Sequence, residues 1–148
     1  MKDKSKTIRF RIESFDVKSF DYKSPEQSVR RNAKVIFNIT PSLRIKSKDK
    51  LIKLGMGVKI MYRKKDPILL VELETETVFL VHNIDELKVD EEHIDIPEPF
   101  LTTLLSLTYS TIRGILIERL KETKLEKFVL PVIDPSTLLP SENIEKTE

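Results

Sequence analysis

Cysteine and tryptophan are absent from this chain of 148 residues, and it has only three glycines and two histidines. Without cysteine there can be no disulfide, no thiolate nucleophile and no thiolate metal site. A reducing compartment is permitted, and a cytoplasmic location is the expectation. His82 and His93 each lack a second histidine three or four residues away, the spacing a helical metal site uses. Asp90, Glu91, Glu92 and Asp95 surround His93, and an acidic run of this kind reads as a solvated loop. No nucleophile elbow of the G-x-S-x-G type occurs. Gly55 and Gly57 flank Met56 inside an alternating pattern, whereas a phosphate loop would open a helix. They mark a bend in a sheet or the close approach of another backbone. No apolar run approaches the ~18 residues that span a bilayer. The basic start, Met1 to Thr7, has no apolar stretch behind it, so no signal peptide is expected. These absences argue against an enzyme and leave no catalytic, cofactor or metal residue to name.

What is present is charge and strand pattern. Hydrophobic residues make up 39% and charged residues 34%, with a net charge of +2, in a length suited to one domain spanning 1–148. Positive residues crowd Arg44 to Lys53 and Arg63 to Lys65. Negative ones crowd Glu72 to Glu76, Asp85 to Asp95 and the last seven positions. Arg44, Lys46, Lys48, Lys50 and Lys53 could meet phosphates, but Tyr62 is the only nearby aromatic and no nucleic-acid module fits. A charged hairpin end is the better reading, without nucleic acid or membrane insertion.

Residues 1–7 read as a disordered arm. Ile8 to Ile12 alternates as a half-buried strand does, and the pattern resumes in Phe15 to Tyr22. Two same-sign positions in the middle break strict alternation and predict a bulge there. Ser24-Pro25 ends the strand, and Glu26 to Asn32 is a polar crossover loop. Ala33 to Thr40 is a second strand, extended through Leu43 to Lys46 after a bend at Pro41. Leu51 to Tyr62 is a third, with Ile52, Leu54, Met56, Val58 and Ile60 on one face. Ile68 to Val81 is a long fourth. Short turns between strands imply an antiparallel meander.

The period then lengthens to that of a helix. Pro97 and Pro99 stand where one begins, and Phe100 to Lys121 repeats at helical spacing. Leu101, Leu105, Ile112, Leu116 and Leu120 share a face, with Thr103, Ser106 and Ser110 opposite. Phe128 to Ile133 is an apolar tail. Asp134 to Leu139 starts a short last helix, and 140–148 reads as solvated. The fold class is α+β, a four-stranded antiparallel sheet with a long C-terminal helix and a short second helix packed on it.

The order of these segments resembles the SecB export chaperones. The resemblance spans roughly residues 8–139. Its most specific part is Ser110-Thr111-Ile112-Arg113-Gly114-Ile115-Leu116 followed by Leu130-Pro131-Val132-Ile133-Asp134-Pro135. It implies a holdase that binds unfolded polypeptide without ATP and assembles as a dimer of dimers. The matching groove positions are Phe15, Phe20, Tyr22, Val35, Phe37, Ile39 and Leu70. Leu125, Phe128, Leu130 and Val132 would close the groove from the helical side, with Met56 and Met61 adding adaptable surface. Export members dock on the SecA motor through carboxylates on the outer sheet. Glu72 matches one of these, whereas Ser19 and Lys23 stand at two others. Glu76-Thr77 replaces the family's diglycine, which suggests a straighter strand. SecB-like proteins outside export, including those that protect antitoxins, give the alternative: a dedicated subunit for one partner.

Overall fold

A computed structural model describes residues 7–23, 35–63 and 67–139, together with the backbone of Glu145–Lys146. The expected crossover loop Glu26 to Asn32 lies outside these residues. Four antiparallel strands form the sheet: β1 (Phe10–Tyr22), β2 (Val35–Lys46), β3 (Leu51–Tyr62) and β4 (Ile68–Val81). Their spatial order is β1-β4-β3-β2, and a two-residue β5 (Glu145–Lys146) runs parallel to β2 beside Arg44 and Ile45. Consecutive strands β2, β3 and β4 are neighbours. β1 is not beside β2 but at the far edge, next to β4.

Alternation decides which side of the sheet is dry. Ile52, Leu54, Met56, Val58 and Ile60 of β3 are almost wholly buried, while Lys53 and Lys59 face outward. Each such apolar side chain contributes about 1.5–3 kcal/mol on burial. Met56 thus belongs to the core and offers no adaptable surface, contrary to expectation; Met61 is half-buried. Pro41 does not interrupt β2, since Pro41 pairs with Met56 in an unbroken register. β4 carries a bulge at Leu70. Ile60 pairs with Val71 and Met61 with Leu69, so Leu70 is the extra residue. The bulge buries Leu70 and turns Leu69 outward. From Val71 to Leu80 the pairing of β4 with β3 runs without a shift.

Helix α1 (Glu98–Arg119) lies on the dry face against β3. It begins two residues before the expected start, with Pro99 in the first turn, where a missing N–H costs nothing. It also ends two residues earlier. Its buried stripe comprises Leu101, Leu104, Leu105, Thr108, Tyr109, Ile112 and Leu116, broader than the stripe expected. No glycine closes it; Glu122 takes a left-handed conformation (φ 65) in the turns that follow. By length and a mean hydropathy of 1.4 this helix could cross a bilayer on composition alone, so the expectation that no segment would qualify is corrected. Its apolar stripe packs on the sheet, as the core helix of a globular protein does.

After α1 the chain forms turns, then an extended segment through Phe128 to Asp134, then one 3-10 turn at Pro135–Leu138 in place of the short α-helix expected. Asp134 caps that turn by accepting Ser136 N at 3.0 Å, a bond that lowers its pKa. Thr7, counted with the arm, is held: its carbonyl accepts Asn83 Nδ2 at 2.9 Å, and Asn83 Oδ1 accepts Arg9 N.

Candidate functional site

The two bulges of β1 have a common effect. Its register with β4 shifts between Ile12 and Ser14 and again between Val17 and Ser19. Each shift restores the parity that a polar insertion would spoil. Phe10, Ile12, Phe15, Val17, Phe20 and Tyr22 therefore pair with Val81, Phe79, Thr77, Thr75, Leu73 and Val71, and all point to the helix side. β1 is an edge strand, so this row is only partly covered. Ile12 and Tyr22 are 49% and 45% exposed, and Phe15, Val17 and Phe20 are half-buried.

Helix α1 runs alongside this row in the same direction. The Phe10 ring packs edge-on against Phe100 at 5.1 Å, at the start of both elements. The Phe20 ring lies 5.1 Å from the Arg119 guanidinium, at the end of both, and 6.0 Å from Tyr22. Between these two points Ile12, Phe15 and Val17 stand partly exposed on the helix side of the sheet. At the far end of the row a concavity of about 480 Å³ is lined by Asp21 to Lys23 and Pro67 to Glu72, none of them from α1.

Across α1 lies a second apolar strip. Val35, Phe37 and Ile39 of β2 are half-buried and pair with Tyr62, Ile60 and Val58. The expected groove positions of β1 and β2 thus form two separate sets. Phe15, Phe20 and Tyr22 flank one side of α1, and Val35, Phe37 and Ile39 flank the other. Four of the expected groove residues, Leu70, Leu125, Phe128 and Leu130, are buried in the core and present no open contact. Val132, by contrast, is 82% exposed. A buried core and a client surface both require apolar side chains, so the sequence pattern alone does not separate them.

Tyr109, which the sequence reading passed over, and Arg113, read there only as part of the Arg113-Gly114 pair, both bond the segment that follows the helix. Tyr109 Oη donates to the Pro131 carbonyl at 2.6 Å, and Arg113 Nε donates to the Leu130 carbonyl at 3.1 Å. Both come from α1, one turn apart. Burial raises the Tyr109 pKa, and the nearby Arg113 charge partly opposes this. The phenol therefore stays a donor. The available signal was a tyrosine and an arginine on an otherwise apolar stripe.

The outer face of the sheet is charged. Glu76 accepts Arg44 Nη2 at 2.8 Å and lies 3.7 Å from Lys18 Nζ; Glu72 lies 3.8 Å from Lys59 Nζ. Gly55 and Gly57 leave room there: a Cβ on Gly57 would meet the Glu74 carboxylate at 2.6 Å, and one on Gly55 would meet Ser42 Oγ at 2.7 Å. Among the described residues, no group of three histidine or acidic side chains could hold a metal. His93 instead pairs with Asp90 at 2.8 Å in an exposed loop, where this bond lowers the Asp90 pKa.

Neither a family model nor a curated protein sequence matches this chain. Solved structures do. The SecB-like chaperone Rv1957 of Mycobacterium tuberculosis, in complex with a ChAD peptide from the Rv1956 HigA1 antitoxin, is 12% identical. The match covers 84% of this chain and 91% of that one, with a TM-score of 0.55. A Streptococcus agalactiae protein of unknown function is also 12% identical over 86% of this chain and 100% of its own, at a TM-score of 0.36. The four-stranded antiparallel sheet with its long C-terminal helix, read together with the mycobacterial structure, gives this chain a divergent SecB-like fold.

Proposed function

We propose that the chain is an ATP-independent holdase that binds unfolded polypeptide along the apolar surfaces flanking α1. The observation that carries this reading is the β1 row, in which aromatic and aliphatic side chains stand half-exposed on an open sheet edge. Such an edge is a liability unless it is used. Rings supply contact area with few rotors to freeze. A reduced, aggregating client mixed with near-stoichiometric amounts of this protein should stay soluble. If no ratio protects it, the holdase reading fails.

A second reading is a dedicated subunit for one partner such as an antitoxin. The antitoxin peptide held by the mycobacterial neighbour favours it. Pull-down from the native host separates the two: many unrelated unfolded chains support the first, one recurring partner the second. Either role suits a cytoplasmic protein. Export through a SecA-like motor ranks behind both. Glu72 is the candidate docking residue, and the neighbouring Lys59 already offsets part of its charge.

The reading includes a homo-oligomer, a dimer of dimers. The apolar positions of β1 lie symmetrically about Asp16: 15 and 17, 12 and 20, 10 and 22. A second copy laid antiparallel on this edge about Asp16 would set Phe15 against Val17, Ile12 against Phe20 and Phe10 against Tyr22. On the outer side Arg11 would face Asp21 at both ends, two opposite-charge pairs set against the like-charged Asp16 pair on the axis. The two rows would then join into one apolar floor between two α1 helices.

A further inference from the structure

The extended segment after α1 is held in an unusual way. No backbone ladder bond joins Val129 to Ile133 to the other described residues. Its carbonyls at Leu130 and Pro131 are instead taken by Arg113 and Tyr109 of α1. Phe128 and Leu130, two positions apart as in any extended strand, point inward, while Val129 and Val132 point out at 41% and 82% exposure. Two donors on main-chain carbonyls and two apolar seats at alternate positions ask little of a sequence. They require only an extended, apolar segment.

We propose that this seat on α1 is an exchangeable polypeptide-binding site. The chain's own Phe128 to Ile133 occupies it at rest, and an extended apolar segment of another polypeptide replaces it. The identity of the incoming segment rests on the holdase reading; the exchange itself does not.

Three features favour exchange. The segment is apolar at all six positions, Phe-Val-Leu-Pro-Val-Ile, although only Phe128 and Leu130 are buried. It therefore has the composition of a client, not of a surface loop. The turns that lead to it place Glu122 at φ 65, a left-handed conformation that a side chain disfavours. Finally, Val129 to Ile133 can leave without breaking a strand pairing, because among the described residues none joins it to the sheet.

The test uses the full chain and a labelled peptide copying residues 124–139, followed by fluorescence anisotropy. A double variant, Phe128→Ala with Leu130→Ala, weakens the resident segment. It should take up the peptide about tenfold more tightly than the wild type, as expected when the open form is more populated. The same two changes in the peptide should abolish uptake. Failure of the folded double variant to take up the wild-type peptide overturns the proposal. If that variant does not fold, a Leu130→Cys variant decides, because its thiol is the only one in the chain and is buried while the resident segment is seated. With excess peptide the thiol should react with maleimide faster, and an unchanged rate overturns it. Peptide uptake without client protection would sink the holdase reading and leave exchange standing; client protection without peptide uptake would do the reverse.

Discussion

Tyr109 and Gly114 occupy the same helix and make opposite predictions. Tyr109→Phe removes one bond to Pro131 and should cost about 0.5–1.5 kcal/mol, read from urea unfolding. The raised pKa of this phenol sets a pH dependence. A group that binds its proton more tightly when folded contributes fully below its ordinary value of 10.0 and loses that contribution as pH rises beyond it. Alkaline destabilisation above that point should therefore shrink in Tyr109→Phe. Gly114 sits in the helix interior, and an added Cβ would meet nothing within 4 Å. Gly114→Ala should raise the stability of the isolated protomer by up to about 1 kcal/mol. A loss of assembly in that variant, with protomer stability raised, would mean that a second copy approaches the helix closely at this glycine.

The elements differ in how far the sequence disclosed them. β3 was legible to the residue, because Ile52 to Ile60 alternates without exception between lysine and glycine. The β1 bulge was legible as a broken alternation, though the structure has two where one was expected. The bulge at Leu70 was hidden, since Ile68-Leu69-Leu70-Val71 is apolar at every position and fixes no parity. The candidate site was legible as a set of residues but not as an arrangement, because burial of Leu125, Phe128 and Leu130 depends on where α1 ends and how the chain turns back. This difference can be measured. Phe128→Asp would put an unpaired carboxylate in a site only 8% exposed and should cost more than about 3 kcal/mol in unfolding experiments. Phe37→Asp, in a half-buried strand position, should cost less and act mainly on client binding, read as the amount of protein needed to keep a client soluble.

For the whole molecule the decisive question is whether two copies meet along β1. The absence of cysteine allows a clean probe. Residues facing each other across an antiparallel pair have Cα atoms about 4.5–5.5 Å apart, within reach of a disulfide. Asp16→Cys should therefore crosslink to itself under mild oxidation if β1 pairs about that residue, as judged by non-reducing electrophoresis. Asp21→Cys, which would face Arg11, should remain monomeric on the same gel. Equal crosslinking of both variants, or of neither, would reject the register. Light scattering of the unmodified chain, alone and with a client, would supply the copy number.

The pairing of Glu145–Lys146 with β2 bears on how large any assembly can become. A sheet with two bare edges can recruit copies at both and lengthen without limit, which is the route to a fibre. Here Glu145–Lys146 covers β2 only at Arg44 and Ile45, so among the described residues the stretch from Val35 to Leu43 is left as a second free margin. Two-fold pairing about Asp16 would use up β1 and leave that stretch as the margin at which a dimer could add further copies.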